Sequence, residues 1–458
     1  MSSPLAHRVY RRLFTAQVIA LFGSGLTTVA LGLLAWDLAG GDAGRVLGTA
    51  LALKMVAYVT VAPIAGAIAH RVPRRALLIG LDLARAGVVI CLPFVTEVWQ
   101  IYVLIVVLNV CTAGFTPTFQ ATIPDILPDE AEYTRALSLS RLAYDIEALA
   151  SPTLAAAALA VMTYDPLFAI NAAAFLVSAA LVASVTLPAA RAPERTRGVL
   201  ANLGFGLHAY LATPRLRGLL ALSLAVAGAG SMVIVNTVVY ARDLLGRSET
   251  DVALLFAASG AGSIVMALVL PRLLDRVADR TVMLTGGAAL VVSMGLGLLQ
   301  PGFLALGALW LLIGAGSSAV QTPAGRLLRR SARDGDRPAV FAAQFALSHL
   351  CWLLAYPMAG WIGADYGMTA AFATSAALVV IGIGGAATLW PRRDPADLPH
   401  THAPIEHEHL HTHDDPHHQH EHEGWEGPEP HRHPHRHAPI RHRHAFVIDL
   451  HHRAWPTG

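Results

Sequence analysis

Histidines dominate the C-terminal stretch 391–458, which carries 18 of the 22 histidines in the chain. Most of them alternate with other residues. In an extended chain, residues two apart lie on the same face, so neighbouring imidazoles can converge on one ion. Imidazole binds Zn²⁺, Cu²⁺ and Ni²⁺ well, so this spacing predicts a metal-binding tail. The predicted ligands are His400, His402, His407, His409, His411, His413, His417, His418, His420, His422, His431, His433, His435 and His437.

Charged neighbours divide these histidines into two clusters. Residues 400–423 add Asp and Glu as oxygen ligands, whereas residues 431–444 are interleaved with arginines, which should repel cations. We therefore expect the tighter metal binding in 400–423. Binding should weaken below about pH 6.5, because only neutral imidazole is a ligand. The tail has no apolar core and is predicted to be disordered without metal. A solvated polar tail without a metal role is the alternative.

A second set of chemically active side chains lies within long apolar stretches. Ionisable residues inside a membrane are costly, which makes them functional candidates by default. The predicted proton or cation path comprises Asp145, Glu147, His349, Asp82, Arg85, Arg141 and Lys54. Asp82–Arg85 and Arg141–Asp145 share helix faces and could equally be structural ion pairs. His349 could equally be a hydrogen-bonded packing residue.

The elements that must position these residues are membrane helices. The chain is 54% hydrophobic and only 14% charged, against about 25% charged in average soluble proteins. A membrane helix needs roughly 20 mainly apolar residues, and twelve stretches qualify, so we predict an all-α membrane protein. The predicted spans are 13–37, 46–69, 76–98, 101–123, 137–161, 166–187, 217–240, 252–272, 281–299, 302–322, 339–363 and 369–390.

Arginine placement predicts the orientation of these spans, because positively charged loops stay in the cytoplasm. With the N-terminus inside, 22 arginines lie in inner segments and only 3 in outer loops. An even number of spans returns the C-terminus to the same side. The sequence therefore predicts that both termini, and the histidines of the tail, are cytoplasmic.

The chain contains an internal repeat. Residues 70–75 and 275–280 are both basic loops at an offset of 205, and Pro152 and Pro357 have the same offset. We therefore predict two six-helix halves, 1–187 and 217–390, with a linker at 188–216 and the tail at 391–458. Paired halves with a substrate path between them are typical of alternating-access carriers.

The loop after the second span resembles a signature of the major facilitator superfamily, GxxxDRxGRR. Here it reads from Gly66 to Arg75, with His70 in place of the aspartate and Pro73 in place of the second glycine. The resemblance implies that this loop and its repeat control opening by charge pairing. The implied gating residues are Gly66, His70, Arg71, Arg74, Arg75, Asp275, Arg276 and Arg280. The segment 115–128 looks like the drug- and siderophore-exporter side of the superfamily.

A transporter of this kind with a His-rich extension resembles the nickel-resistance efflux proteins of the NreB type. The resemblance implies a metal-resistance exporter of a divalent cation in the bacterial inner membrane. Nickel is the implied substrate and tail ligand, with Co²⁺ or Zn²⁺ as alternatives. An exporter of a drug or siderophore, with the tail as a passive metal buffer, fits the same motifs. A metal-storage protein that uses the helices as an anchor is a third alternative.

The source of energy and the partners follow from what the chain contains. It has no GxxxxGK[ST] motif and no large soluble domain, so we expect neither an enzyme nor an ATP-driven pump. A proton gradient is the expected source of energy, used by antiport. The formal charge of +2 does not suggest nucleic acid as a partner. The expected partners are the metal ion, protons and the lipid bilayer, with no tightly bound cofactor and no obligate protein partner.

Overall fold

A computed structural model describes residues 3–39, 43–68, 71–159, 161–188, 199–394, 397–401, 405–411, 431–437, 441–449, 452 and 454–456. In the tail strands it describes the backbone, and side chains only for 397 and 398. Of the predicted site residues, His70, His402, His413, His417, His418, His420 and His422 lie outside these ranges.

The described chain is helical up to the tail. The helices are α1 (Arg8–Ala39), α2 (Ala43–Ile68), α3 (Arg74–Cys91), α4 (Val98–Ile126), α5 (Glu130–Leu159), α6 (Asp165–Ala183), α7 (Val199–Ala212), α8 (Pro214–Val239), α9 (Glu249–Leu274), α10 (Asp279–Gly297), α11 (Phe303–Gln321), α12 (Ala324–Arg330) and α13 (Arg337–Leu389). The predicted spans correspond in order to α1–α6, α8–α11 and the two parts of α13. The all-α membrane fold is therefore confirmed.

Nine of the described helices are long and apolar enough to cross a membrane. Two predicted spans are not among the nine: in α2 the apolar stretch of described residues is 52–67, and α5 carries charged residues of the predicted path. One of the nine, α13, has 53 residues. At about 1.5 Å per residue it is long enough to cross twice.

A glycine divides α13 into the two spans that the sequence predicts. Gly367 has φ +83° and ψ 171°, a backbone conformation that is essentially restricted to glycine. The α-helical hydrogen-bond pattern cannot continue through this residue, so 337–366 and 368–389 are separate helices. Arg337–Leu389 therefore consists of two helices joined at Gly367, which correspond to the last two predicted spans.

The two predicted halves pack as distinct helix groups. In the N-terminal half, α1 packs on α5 and α6, α3 on α4 and α6, and α2 on α4. In the C-terminal half, α8 and α10 pack on α13, and α11 packs on α9 and α10. Contacts between the halves run mainly from α2 to α13 and from α5 to α9. Part of the predicted linker forms α7, which packs against both α2 and α13.

The tail contains four strands in antiparallel pairs. They are β1 (Asp397–Thr401), β2 (Ile405–His411), β3 (His431–His437) and β4 (Arg441–Ala445), with β1 paired to β4 and β2 to β3. After β4 the chain packs onto the C-terminal half, where Phe446 and Ile448 join the main hydrophobic core. The expectation of a disordered tail therefore does not extend to this last segment.

Candidate functional site

One end of the helix bundle holds a network of arginines and carboxylates that joins the two halves. We call this end, formed by residues 71–75, 125–130, 275–280 and 324–337, the arginine-rich face. Asp125 at the end of α4 accepts hydrogen bonds from Arg74 of α3 and, at 2.6 Å, from Arg337 at the start of α13. Both guanidinium groups are largely buried. A single carboxylate therefore bridges the N-terminal and C-terminal halves.

Arg326 forms a second bridge at the same face. Its guanidinium lies 2.7 Å from Glu130 and donates a hydrogen bond of 2.8 Å to Thr134, both on α5. It also lies 3.2 Å from the buried carboxylate of Asp279 at the start of α10. Nearby, Arg329 donates to the carbonyl of Pro128. The arginine-rich face is thus closed by charge pairs in this structure.

The residues that the resemblance assigned to gating divide into two groups. Gly66 lies where the halves touch: a Cβ there would be 2.5 Å from Ala342 Cβ and 2.9 Å from the carbonyl of Pro338. Arg74 forms the Asp125 pair, and Arg75 donates to the carbonyl of Ala183 within its own half.

The other gating residues that the structure describes lie on the surface or within one half. Arg71, Asp275 and Arg276 are exposed. Arg280 donates to the carbonyls of Ala387 and Trp390 inside the C-terminal half. The buried acid of the second repeat is thus Asp279, four residues beyond the predicted Asp275, and Asp125 performs the bridging in the first.

Asp82 and Arg85 form a buried ion pair inside the N-terminal half. Arg85 donates to Asp82, and Ser178 of α6 donates a hydrogen bond of 2.7 Å to the other carboxylate oxygen. The guanidinium lies between two aromatic rings, 4.1 Å from the centroid of Phe115 and 4.5 Å from that of Phe175. Each charge has a partner and α3, α4 and α6 are joined, so the arrangement favours the structural alternative for this pair.

Arg141 and Asp145 form the second predicted pair, and it reaches across the halves. The guanidinium contacts both carboxylate oxygens, at 3.1 and 3.2 Å. Ser263 of α9 donates a hydrogen bond of 2.6 Å to Asp145 and accepts one of 3.0 Å from Arg141. Asp145 is therefore directed to α9.

Glu147 faces a different set of helices. Its Oε1 accepts a hydrogen bond of 2.9 Å from Ser151 and lies against Gly25 of α1, where a Cβ would be only 2.1 Å from that oxygen. Glu147 also interacts electrostatically with Lys54 of α2. Only a residue without a side chain fits at position 25, so the glycine allows the carboxylate to sit between α1, α2 and α5.

His349 completes this cluster from the other half. The ring of Tyr58 on α2 lies edge-on to the imidazole, with centroids 4.8 Å apart, and Lys54 Nζ is 5.6 Å from the Tyr58 centroid. His349 Nδ1 lies 2.7 Å from the carbonyl of Phe345. Because a carbonyl only accepts, Nδ1 carries the hydrogen, and Nε2 is left as the basic nitrogen.

Tertiary structure therefore brings together three of the predicted path residues, Lys54, Glu147 and His349. Sequence reasoning missed Tyr58 and Ser263, which are neutral, and their polar character in apolar helices was the only available signal. Among the residues that the structure describes, no three His, Cys, Asp or Glu side chains are grouped as they would be around a metal ion.

The last residues of the tail dock on the C-terminal half beside the arginine-rich face. Asp449 lies 2.8 Å from Arg333, which precedes α13, and 2.9 Å from His452 Nδ1. The Trp455 ring lies 5.0 Å from the guanidinium of Arg215 and stacks edge-on against Phe446. Burial by itself raises the pKa of Asp449, but the His452 hydrogen bond and the Arg333 charge lower it well below its usual range.

The start of the tail is held at the same place. Asp394 lies 2.8 Å from Arg330 and 3.4 Å from Arg215, and it accepts a hydrogen bond of 3.1 Å from the Trp390 indole. Arg330 in turn lies 3.7 Å from Asp279. Both ends of the tail are therefore attached to the arginines that neighbour the bridges between the halves.

Three curated bacterial proteins are similar to parts of this chain. An uncharacterised MFS-type transporter from Bacillus subtilis is 25% identical over 47% of this chain and 52% of its own length. Macrolide efflux protein A of Streptococcus pyogenes is 27% identical over 40% of this chain and 44% of its own length. Its namesake in Enterococcus faecalis is 29% identical over 32% and 47%. The chain spans about half the length of the curated relatives it matches.

Solved structures share the fold at low sequence identity. The human organic anion transporter MFSD10 (TETRAN) has a TM-score of 0.71 and 14% identity, covering 83% of this chain and 99% of that one. A bacterial homologue of the iron transporter ferroportin, in its outward-facing state, has a TM-score of 0.70 and 13% identity with the same coverage. The sequence profile of the Major Facilitator Superfamily matches residues 13–215 and 219–442. This profile covers more than half of the chain, and the helices fit the same fold. The chain therefore belongs to the Major Facilitator Superfamily of transporters.

Proposed function

We propose that this transporter is a secondary active exporter of a divalent metal cation, with nickel as its principal substrate, driven by proton antiport in the bacterial inner membrane. The observation that carries the proposal is the position of the tail. A stretch with 18 histidines is attached at both ends to the arginine-rich face. The similarity of the chain to NreB-type proteins favours nickel over Co²⁺ and Zn²⁺.

The arginine-rich face is assigned to the cytoplasm by its charge. Positively charged loops remain inside, and this face gathers the arginines of 71–75, 276–280 and 326–337. The termini and the tail are then cytoplasmic as well. A metal-collecting tail on that side raises the local concentration of the ion where an exporter loads its substrate.

Proton coupling is assigned to the cluster of Lys54, Glu147 and His349. Glu147 can exchange a proton, and the basic Nε2 of His349 can accept one from the opposite half. The two groups lie on either side of the interface whose opening and closing would alternate access. Protonation would change the charge on one side of that interface and would thereby favour one conformation over the other.

Transport into inside-out vesicles tests the proposal. An acidic lumen should drive accumulation of radioactive nickel, and a protonophore should abolish it. Glu147→Gln should lower the initial rate by at least about tenfold, as expected for loss of a proton-transfer group. Asp365→Asn, at an exposed carboxylate, is the matched control and should transport normally. Nickel uptake equal to that of empty vesicles would overturn the proposal.

Export of an organic molecule is the second candidate, and the similarity to proteins named macrolide efflux protein A favours it. The tail would then be a passive metal buffer. A disruption strain separates the two functions: increased sensitivity to nickel with unchanged sensitivity to macrolides supports metal export. The reverse result supports the organic substrate.

A further inference from the structure

The two histidine clusters of the tail form the two strands of one ribbon. Thr401 pairs with Arg441 at the end of the β1–β4 ladder, and Ile405 pairs with His437 at the start of β2–β3. Between these two pairs both strands advance by four residues. The described pairs of the two ladders therefore share a single register, with 397–401 antiparallel to 441–445 and 405–411 antiparallel to 431–437.

This register places histidines of the first cluster opposite histidines of the second. His407 pairs with His435, His409 with His433 and His411 with His431. Alternate residues of a strand lie on the same face, so these three rows occupy one face of the β2–β3 ladder.

The charged residues occupy the alternate positions. Glu406 pairs with Arg436, Glu408 with Pro434 and Leu410 with Arg432. These positions belong to the other face of the ladder, where opposite charges on paired strands are favourable. Arg432 and Arg436 are therefore not on the histidine face of this ladder, and the expectation that they repel cations from it loses its basis. Arg441 and Arg443, which pair with Thr401 and Pro399 on β1, have the same strand parity as the histidines and lie beyond the three rows.

We propose that the three histidine rows are a cross-strand site for divalent cations that imidazole binds well, such as Ni²⁺, Zn²⁺ and Cu²⁺. Directly opposite residues on paired strands have Cβ atoms about 4.5–5.5 Å apart, and successive rows are spaced by about 6.8 Å. Two neighbouring rows therefore bring four histidines, two from each cluster, to adjacent register positions on one face of the ladder. The site deepens the proposed metal-collecting role of the tail and rests on that proposal.

The site makes both clusters necessary for the same bound ion. On the sequence-based expectation, 400–423 binds tightly by itself and 431–444 binds weakly. If the ion binds to the paired strands, removal of either histidine of a row weakens binding of the same ion. The two hypotheses predict different effects of removing His433 and His435 on the affinity for the ion. They also differ in whether substitutions in the two strands reduce that affinity additively.

Nickel binding by the purified full-length protein at about pH 7.5 tests the ribbon, because imidazole is then neutral. His407→Ala/His409→Ala and His433→Ala/His435→Ala should each weaken the tightest binding phase by about tenfold or more. The variant that lacks all four histidines should be no weaker than either double variant, the sign of shared sites in a double-mutant cycle. Arg432→Gln/Arg436→Gln changes the other face of the same ladder and should leave the tightest phase unchanged, whereas the sequence-based expectation of cation repulsion predicts tighter binding.

Two results would overturn the site: unaltered tight binding in His433→Ala/His435→Ala, or losses from the two strands that are independent and additive. Thermal unfolding of each variant checks that the helix bundle is intact. The assay measures binding and needs no transport. Failure of nickel export in vesicles would therefore leave the ribbon standing as a buffer, and failure of the ribbon would leave the export result unaffected.

Discussion

At the scale of single residues, the acidic side chains of the helices differ in what surrounds them. Asp82 faces Arg85 and Ser178 inside one half, and its charge is paired. Glu147 has one hydroxyl donor, Ser151, and one lysine within electrostatic reach. A carboxylate with few fixed partners can change its protonation state with less disruption than one in an aromatic-flanked ion pair. This difference makes Glu147 the better candidate for proton exchange.

Gly25→Ala should disturb Glu147 directly. The added Cβ would lie 2.1 Å from Glu147 Oε1 and 2.2 Å from Ser151 Oγ, so both side chains must move. Overpacking of this kind destabilises by about 1–3 kcal/mol. We expect a lower melting temperature and a loss of proton-driven transport.

Gly32→Ala on the same helix is the control for Gly25→Ala. No described atom lies within 4 Å of a Cβ added at this position, and alanine favours a helix over glycine by about 1 kcal/mol. This variant should be neutral or slightly stabilised. Equal melting temperatures and transport rates for the two variants would contradict the proposed contact at Gly25.

The docking of the tail end should resist mild acid. Because the pKa of Asp449 is lowered, its contribution to docking is complete above the ordinary carboxyl value of about 3.9. It is lost as the pH falls through the lower value of the folded state. The fluorine NMR signal of fluorotryptophan at Trp455, assigned with Trp455→Phe, should stay in its docked position down to about pH 4.

Asp449→Asn removes the charge that pairs with Arg333 and should shift the Trp455 signal toward the undocked position even at neutral pH. Loss of a charged hydrogen bond of this type weakens docking by about 1–3 kcal/mol. Asp397→Asn changes an exposed carboxylate of the same tail and is the control. An identical signal in wild type and Asp449→Asn at neutral pH would refute the assigned role of this ion pair.

At the scale of elements, hydropathy predicted twelve spans because each helix must present mainly apolar residues to lipid. The same rule could not predict α7, since its 14 residues are too few to cross a membrane. It also could not show that the last two spans are joined without a loop. That connection depends on the backbone of Gly367, where φ is +83°.

Gly367→Ala should therefore weaken the junction between the two spans of α13. A side chain in this backbone region is strained by about 1–3 kcal/mol, so we expect a lower melting temperature. Gly384→Ala lies within the second span, with no described atom within 4 Å of an added Cβ, and should not destabilise. Unchanged stability of Gly367→Ala in thermal unfolding would show that the junction tolerates another conformation.

At the scale of the whole molecule, the charges of the arginine-rich face decide which conformation is held. Asp125 and Arg326 are two points where partners from opposite halves meet. Both bridges lie at the end to which the tail is attached. Opening of this face requires the Asp125–Arg337 pair to separate. It also requires Arg326 to lose its contacts with α5 of the N-terminal half.

Asp125→Asn should favour opening of the arginine-rich face. It removes the negative charge shared by Arg74 and Arg337 and leaves two largely buried cations close together. Spin labels at the exposed positions Val72 and Asp275 lie on loops of opposite halves. Pulsed electron paramagnetic resonance should show a larger share of long distances in the variant.

Asp334→Asn is the matched control for Asp125→Asn. Asp334 lies 2.7 Å from Arg337 but belongs to the same half, so its loss should leave the distance distribution nearly unchanged. A distribution in Asp125→Asn identical to that of wild type would show that this bridge does not hold the face closed.

The sequence alone determined the class of this protein, a helical membrane transporter, and it predicted twelve spans in two repeated halves. These properties depend on local composition and periodicity, which each segment carries independently of its neighbours. Only the tertiary structure decided which charges meet. Helix packing sets these partners, because they lie far apart in the chain. It places Glu147 close to Lys54 and His349. It also places Asp145 beside Ser263 and Asp125 between the two halves. Strand register likewise decided that the two histidine clusters lie opposite each other, since a shift by one residue would move every histidine to the other face.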